Sequence, residues 1–461
     1  MPVLAAVAVP HPPILLPEVG RGEEKKLMAT RDAYCAVMAR IAALKPDTVV
    51  LISPHTATYL DYFHISPNTS AHGDMGRFRA PQVTVDARYD TAFVQTLSAI
   101  AKTADIPAGT QGEEDASLDH GTLIPLTFLN RFYTDYKLVR LGFSGLFPSV
   151  HYQLGKCIQQ AADALDRRVV IVASGDLSHK LTADGPYGFA EEGPVFDEKV
   201  TAALKDADFL SLFSLPQSLA DAAGECGLRS FLIMAGALDR RALTHELLSY
   251  EGPFGVGYGI AYFAVTGRDD ARAFDAIYEA KARAENAARK QEEDAYVRLA
   301  RYAVERYVRT GKRPPLPELL PPALTEDRAG VFVSLKAFGQ LRGCIGTFLP
   351  TTSSIAQEIL QNGVSACSED PRFPPVNKAE LEDIVYSVDV LGEVEPILSI
   401  AQLDPKRYGV IVQKGNKRGL LLPDLSGVDT AAQQIQIAKQ KAGIGPMEDV
   451  ALSRFEVIRH A

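Results

Sequence analysis

Three histidines fall where short apolar runs end. Val3–Val9 leads into Pro10-His11-Pro12-Pro13, Thr48–Ser53 into Pro54-His55, and Val169–Ala173 into Ser174-Gly175-Asp176-Leu177-Ser178-His179. A fourth, His120, stands in Leu118-Asp119-His120-Gly121, ahead of the helix-like run Thr122–Phe128. Neutral imidazole is the commonest metal ligand, and it also moves protons near working pH. The flanking prolines fix φ locally and lower the entropy lost in holding a ring. Such a group needs a further ligand, and Gly224-Glu225-Cys226-Gly227 offers a carboxylate and a thiol side by side. Two histidines and a carboxylate form the facial triad of non-haem Fe(II), leaving positions for O2 and substrate. Two histidines and a thiolate suit a softer metal, zinc or copper. Structural readings stand beside these. A histidine after a strand also serves as a hydrogen-bonding group, Glu225 as the cap of a following helix, and Cys226 as a buried thiol. Repetition at strand ends is what favours a metal site. His64, His72, His151, His245 and His460 lack that placement and read as surface or structural.

The elements that must position these side chains are legible. Val3–Val9, Thr48–Ser53, Lys137–Phe143, Val169–Ala173 and Tyr258–Val265 are β-branched or apolar runs of strand length. Helical patterns over Glu23–Leu44, Ala92–Ala104, Val150–Leu165 and Pro194–Lys205 lie between several of them. Alternation of this kind predicts an α/β domain over residues 1–268, with a largely parallel sheet flanked by helices. Ligands in such sheets bind beyond the carboxyl ends of strands, so His11, His55 and His179 are expected to face one crevice.

From Ala271 to Ala303 the chain is rich in Ala, Glu, Lys and Arg, with no Gly or Pro. This predicts one long polar helix, with 269–286 as a helical linker, whose later part packs on a second domain. Residues 287–461 mix strands (Gly330–Leu335, Ile384–Leu391) with helices (Ser354–Gln361, Thr430–Lys441), and Tyr408–Val412 and Gly419–Leu422 flank a hairpin turn. A smaller α+β domain is expected there. Its chemistry-bearing segment is Leu341-Arg342-Gly343-Cys344-Ile345-Gly346-Thr347, with Arg372 further on. The glycines permit a close backbone approach. An arginine beside Cys344 favours a thiolate, whereas a cysteine in a strand between glycines is more often a buried structural one.

Composition narrows the classes. The chain has 461 residues, 46% hydrophobic and 23% charged, which fits two or three globular cores. A net charge of −9 argues against a nucleic-acid partner held through phosphates. Five scattered cysteines without a CxxC pair argue against a disulfide scaffold and for a reducing, cytoplasmic setting. The start of the chain lacks a basic segment and is broken by prolines, so it is not read as a signal peptide, and no run suits a membrane span. Neither a P-loop nor a GxGxxG fingerprint occurs.

Taken together, Pro10-His11-Pro12-Pro13, Ser53-Pro54-His55, Leu118-Asp119-His120-Gly121 with Pro125-Leu126, and Ser174–His179 resemble the LigB-type class III extradiol dioxygenases and the related Memo-like proteins over residues 1–268. The resemblance implies Fe(II) held by His11, His55 and Glu225, with His179 as acid/base and His120 orienting substrate or O2. The substrate it implies is a catechol-type diol, opened beside the diol. Memo-like relatives place a cysteine in this region, which Cys226 matches. Over residues 287–461, Leu341–Thr347, Asp370–Val376, Leu391–Glu395 and Tyr408–Pro423 occur in the order seen in the AMMECR family. The two domain types together resemble the AmmeMemoRadiSam system, which implies a radical-SAM protein partner. This chain has no CxxxCxxC of its own. Three readings follow: a ring-cleaving dioxygenase, a metal-binding module acting with that partner, and a redox protein using Cys226 or Cys344.

Overall fold

In a computed structural model, described over residues 2–112, 117–425 and 427–461, the chain forms two compact units, Met1–Tyr278 and Glu279–Ala461. The first is built on a six-stranded sheet ordered Lys137–Leu141, Thr48–Ile52, Val169–Ser174, Val3–Val9, Tyr258–Arg268, Arg241–Glu251. The first four are parallel and the last two antiparallel. Alternate side chains enter opposite cores, as the pleat requires. Val3, Ala6, Val50, Ile52 and Ile171 face one core, and Ala5, Val7, Val49, Leu51 and Val172 the other. Helices cover both faces, which is why these strands read as unbroken apolar runs. Thr91–Thr103, Pro148–Leu165, Glu192–Asp206 and Leu228–Ala237 lie on the first face, and Met28–Leu44 and His120–Leu129 on the second. The parallel order places the strands ending before His11 and His55 on either side of the strand that leads to His179.

Helices Pro148–Leu165 and Leu228–Ala237 pack so closely that a Cβ on Gly236 would lie 1.9 Å from the Tyr152 carbonyl oxygen. That contact is backbone against backbone, so the helices must separate to admit a methyl. Gly236→Ala is expected to destabilise the unit by about 1–3 kcal/mol, the usual cost of overpacking, as a lower urea midpoint.

The long polar helix expected over Ala271–Ala303 is two helices, Phe274–Glu292 and Ala295–Thr310. Asp294 breaks it: its backbone is extended and its side chain accepts the Tyr296 and Val297 N–H groups as an N-cap. In the second unit, Ala295–Thr310 and Ile355–Ser368 share a core with the sheet Gln340–Gly346, Val331–Ala337, Ile384–Leu391, Val457–His460. A second four-stranded sheet, with strands Gly409–Lys414 and Lys417–Leu421 joined by the expected turn, packs on Ala431–Lys441. Among the described residues no helix is long and apolar enough to cross a membrane.

Candidate metal centre

His11 and His55 converge from separate strand ends. Their Nε2 atoms are 3.0 Å apart, and Cys226 Sγ lies 3.7 Å from His11 Nε2. One ligand atom from each of the three lies within 4.8 Å of the others, a geometry able to hold one metal ion. Cys226 arrives because strand Val169–Ser174 is followed by Gly175, whose missing side chain lets Gly227 pass; a Cβ there would sit 2.2 Å from the Gly227 Cα. Glu225, expected as third ligand, is not part of this group. Its Oε2 accepts the Leu228 N–H at 2.7 Å, at the start of helix Leu228–Ala237. The four unpaired N–H groups of a helix start attract a carboxylate. Neighbours in sequence, Glu225 and Cys226 thus serve different ends: the acid caps and the thiol meets the histidines.

Supporting contacts set the orientation of each ligand. Asp176 Oδ1 accepts the His11 backbone N–H at 2.8 Å, and the Asp176 N–H donates to Cys226 Sγ at 3.3 Å. Ser174 Oγ donates to the Gly121 carbonyl at 2.6 Å and lies 2.9 Å from His11 Nδ1. Its single proton is committed to that carbonyl, so His11 donates from Nδ1 and its Nε2 presents a lone pair to the cluster. That is the tautomer a metal ligand needs. Ser53 Oγ donates to Asp119 Oδ1 at 2.5 Å, and its oxygen receives the His55 N–H at 3.2 Å. These roles of Ser174, Asp176 and Ser53 went unread in the sequence, although all three lie inside the segments that carry the histidines.

Burial, and for His11 and His120 the neighbouring rings as well, hold the imidazoles neutral. His11 and His55 are pushed below the usual histidine value chiefly by burial, and His120 falls to about 3. His120 stacks on His55 at 4.0 Å between ring centroids and lies 5.4 Å from His11. His179 is also lowered by burial, and its ring packs against Tyr187. Its Nε2 is buried without a hydrogen-bond partner among the described residues. Burial pushes the Cys226 thiol up and the Asp176 carboxyl to about 6. Three neutral donors beside two carboxylates, Asp119 and Asp176, fit a cation.

His55 and His120 also line a cavity of about 740 Å³, with Arg77, Phe78, His64 and His72 on its other walls. This volume is within the range of small-molecule sites. His64 and His72, read from sequence as surface or structural, also line the cavity. Phe78 meets His120 edge-on at 5.4 Å. Arg77 and Phe78 belong to the Ser70–Arg88 hairpin region, which the sequence reading did not identify.

The second unit's motif is engaged differently. Arg342 is buried and donates from Nε and Nη2 to both oxygens of Glu380, and from Nη1 to the Pro374 carbonyl. Arg372 pairs twice with Asp370 and donates to the Cys344 carbonyl at 3.1 Å, while the Cys344 N–H donates to Asp370 at 2.9 Å. Asp370 and Arg372 thereby cover the open edge of strand Gln340–Gly346. Gly343 permits helix Ile355–Ser368 to approach, since a Cβ would lie 2.2 Å from the Ala366 oxygen, and at Gly346 a Cβ would strike the Phe332 ring at 2.2 Å. Arg342→Ala is expected to lower stability of this unit by about 1.5–3 kcal/mol, the worth of hydrogen bonds to a charged group. Cys344→Ala, measured by the same urea titration, should change it by under about 1 kcal/mol.

Comparison with known proteins matches residues 5–261 to the family described as the catalytic LigB subunit of aromatic ring-opening dioxygenase, and residues 297–460 to AMMECR1. A Clostridium acetobutylicum protein is 40% identical over 98% of both chains. A Thermotoga maritima protein is 53% identical across 36% of this chain and 98% of its own. Among solved structures, an uncharacterized Pyrococcus horikoshii protein (33% identical, TM-score 0.34) covers 36% of this chain and 88% of its own. One from Escherichia coli K12 (17% identical, TM-score 0.39) covers 56% and 99%.

Proposed function

Because the chain belongs to the LigB family of aromatic ring-opening dioxygenase subunits, with an AMMECR1 domain joined after it, we propose that its first unit is a mononuclear metal-dependent oxidoreductase acting with O2 on a small aromatic diol. The observation that carries this is the convergence of His11, His55 and Cys226 beside the cavity of about 740 Å³. We assign Fe(II), held by those three side chains. Bound there, Fe(II) would supply Lewis acidity toward the diol and electrons toward O2.

The remaining work belongs to the chain. Phe78 and the His55–His120 stack form flat walls for a planar ring. His120, neutral down to about pH 3, orients by hydrogen bonding rather than by charge. His179 Nε2 has its lone pair or proton uncommitted, which suits it to take a hydroxyl proton from the diol. Tyr187, 61% exposed, packs beside this imidazole at 5.0 Å between ring centroids.

A second reading is favoured by Cys226 itself. A thiolate where the facial triad has a carboxylate suits zinc or copper, and an intact fold does not require the reaction to persist. The unit would then be the metal-binding component of a modification system, working with a radical-SAM protein and cleaving no ring. One experiment separates the two. The chain is loaded with Fe(II) under anaerobic conditions, metal content is verified, and a catechol panel is added with air. The first reading expects O2 uptake and a yellow ring-fission product, lost in His179→Ala with metal retained. Full Fe(II) occupancy without O2 uptake refutes it and leaves the second.

A further inference from the structure

Helix His120–Leu129 carries Pro125 in its interior. Proline has no N–H, so it cannot send the helical hydrogen bond to the carbonyl four residues back, which is that of Gly121. Gly121 is buried, and a buried carbonyl deprived of its donor must find another. The donor it finds is the Ser174 hydroxyl, at 2.6 Å. The reverse arrangement, with that proton turned to His11 Nδ1, would set two oxygens with facing lone pairs 2.6 Å apart and leave the carbonyl unsatisfied. Ser174 Oγ is therefore only an acceptor toward His11 Nδ1, 2.9 Å away.

We infer that Pro125 selects the tautomer of His11: by removing one helical donor it draws the Ser174 proton to Gly121, which obliges His11 to donate from Nδ1 and frees Nε2 for a metal. Pro125 and Ser174 are positioning residues, and their functional consequence rests on the metal reading above. The arrangement also accounts for glycine at 121. A Cβ there would lie 2.5 Å from Ser53 Oγ and 3.3 Å from His55 Cδ2, so a side chain would drive the helix start away from Ser174 and His55 together.

The test uses the full chain without metal. Histidine labelled with 15N reports which ring nitrogen of His11 is protonated, the His11 signal being identified by its loss in His11→Gln. The wild type should show Nδ1 protonated. Ser174→Ala should shift His11 toward protonation at Nε2, and Ser174→Thr, which keeps the hydroxyl, should restore the wild-type signal. Pro125→Ala returns an N–H to Gly121, competes with Ser174, and should shift His11 the same way by less. Zn2+ titration of the same proteins gives the second readout. About 10–100-fold weaker binding is expected for Ser174→Ala, as for other partners of metal-bound histidines, and a smaller loss for Pro125→Ala. Ser174→Thr should bind Zn2+ as tightly as wild type, a rescue that general damage does not produce. A His11 tautomer unchanged in both Ser174→Ala and Pro125→Ala overturns the inference. Should Ser174→Ala fail to fold, Pro125→Ala decides. Should the wild type bind no metal, the proposed function falls, and the tautomer measurement still decides this point.

Discussion

Replacing His11 or Cys226 by alanine should weaken binding of a transition metal by at least about a hundredfold, since even the outer partners of metal ligands are worth up to that much. Glu225→Gln should leave affinity within about threefold. The contrast follows from where the side chains go. Cys226 Sγ is 3.7 Å from His11 Nε2, whereas Glu225 is spent on the Leu228 N–H. Burial already raises the Glu225 carboxyl to about 7, so glutamine, neutral and still an acceptor, imitates a form the native residue often holds. The thiol leaves a further signature. At pH 7 to 9 the histidines, lowered by burial, are neutral, while the buried Cys226 thiol keeps its proton. Binding must expel that proton, so affinity should rise about tenfold per pH unit in this window. Competition with a chromophoric chelator at several pH values reads both effects. Affinity that is flat with pH, together with loss of metal in Glu225→Gln, would return the carboxylate to the site and remove the thiol.

Much of this was written plainly in the sequence. Strands buried on both faces leave no choice of pattern, so Val3–Val9, Thr48–Ile52 and Val169–Ser174 stand out as apolar runs, and a histidine at such an end declares itself. Strand Arg241–Glu251 did not declare itself. It lies at the sheet edge, half-exposed along its length, and its charges break any alternation. The Ser70–Arg88 hairpin was missed although Ser70–Met75 alternates between exposed and buried residues, because its buried positions are the small Ala71 and Gly73 with Met75 rather than a β-branched run, and with it Arg77 and Phe78 on the cavity wall. The choice between Glu225 and Cys226 was closed to sequence reading for a different reason. Adjacent residues in a turn differ only in direction, and that direction depends on Gly224, in the left-handed region at φ 67°, and on the close pass of Gly175 and Gly227. Pro125 shows the converse case: its presence was visible, but its meaning depended on a serine 49 positions away that only the fold brings to Gly121.

Acid should destabilise the first unit in two stages, with a gentle slope from about pH 6.5 to 4.5 and a steeper one below. Five imidazoles, those of His11, His55, His120, His151 and His179, are depressed chiefly by burial. Below about pH 6.5 the unfolded chain takes up protons that the folded chain refuses, so their contribution to stability is lost as pH falls. Four carboxyls act in the opposite sense. Burial raises Asp176 and Asp197 to about 6, Glu225 to about 7, and Asp239 upward. Over about pH 4 to 7 the folded state holds protons there that the unfolded state releases, so acid favours the fold through these groups. The two sets nearly offset until the unfolded carboxyls also protonate near pH 4, after which the histidines act unopposed and the lowered carboxyls of Glu24, Asp270 and Asp275 add to the loss. His151 isolates the effect. It is buried in the core, its Nδ1 donating to the Phe147 carbonyl and its Nε2 accepting the Ser144 N–H, and burial first, with the Arg229 charge adding to it, lowers it from the usual 6.5 to about 4. That shift corresponds to about 3 kcal/mol of stability, present above pH 6.5 and lost by pH 4. Glutamine can donate and accept at the same two places without titrating. Hydrogen exchange in Val3–Val9 and Val169–Ser174, followed in the full chain from pH 7 to 4 and corrected for intrinsic rates, should show protection falling by about two orders of magnitude less in His151→Gln than in wild type. Equal losses in the two proteins would mean that His151 is already charged in the folded state, contrary to its burial.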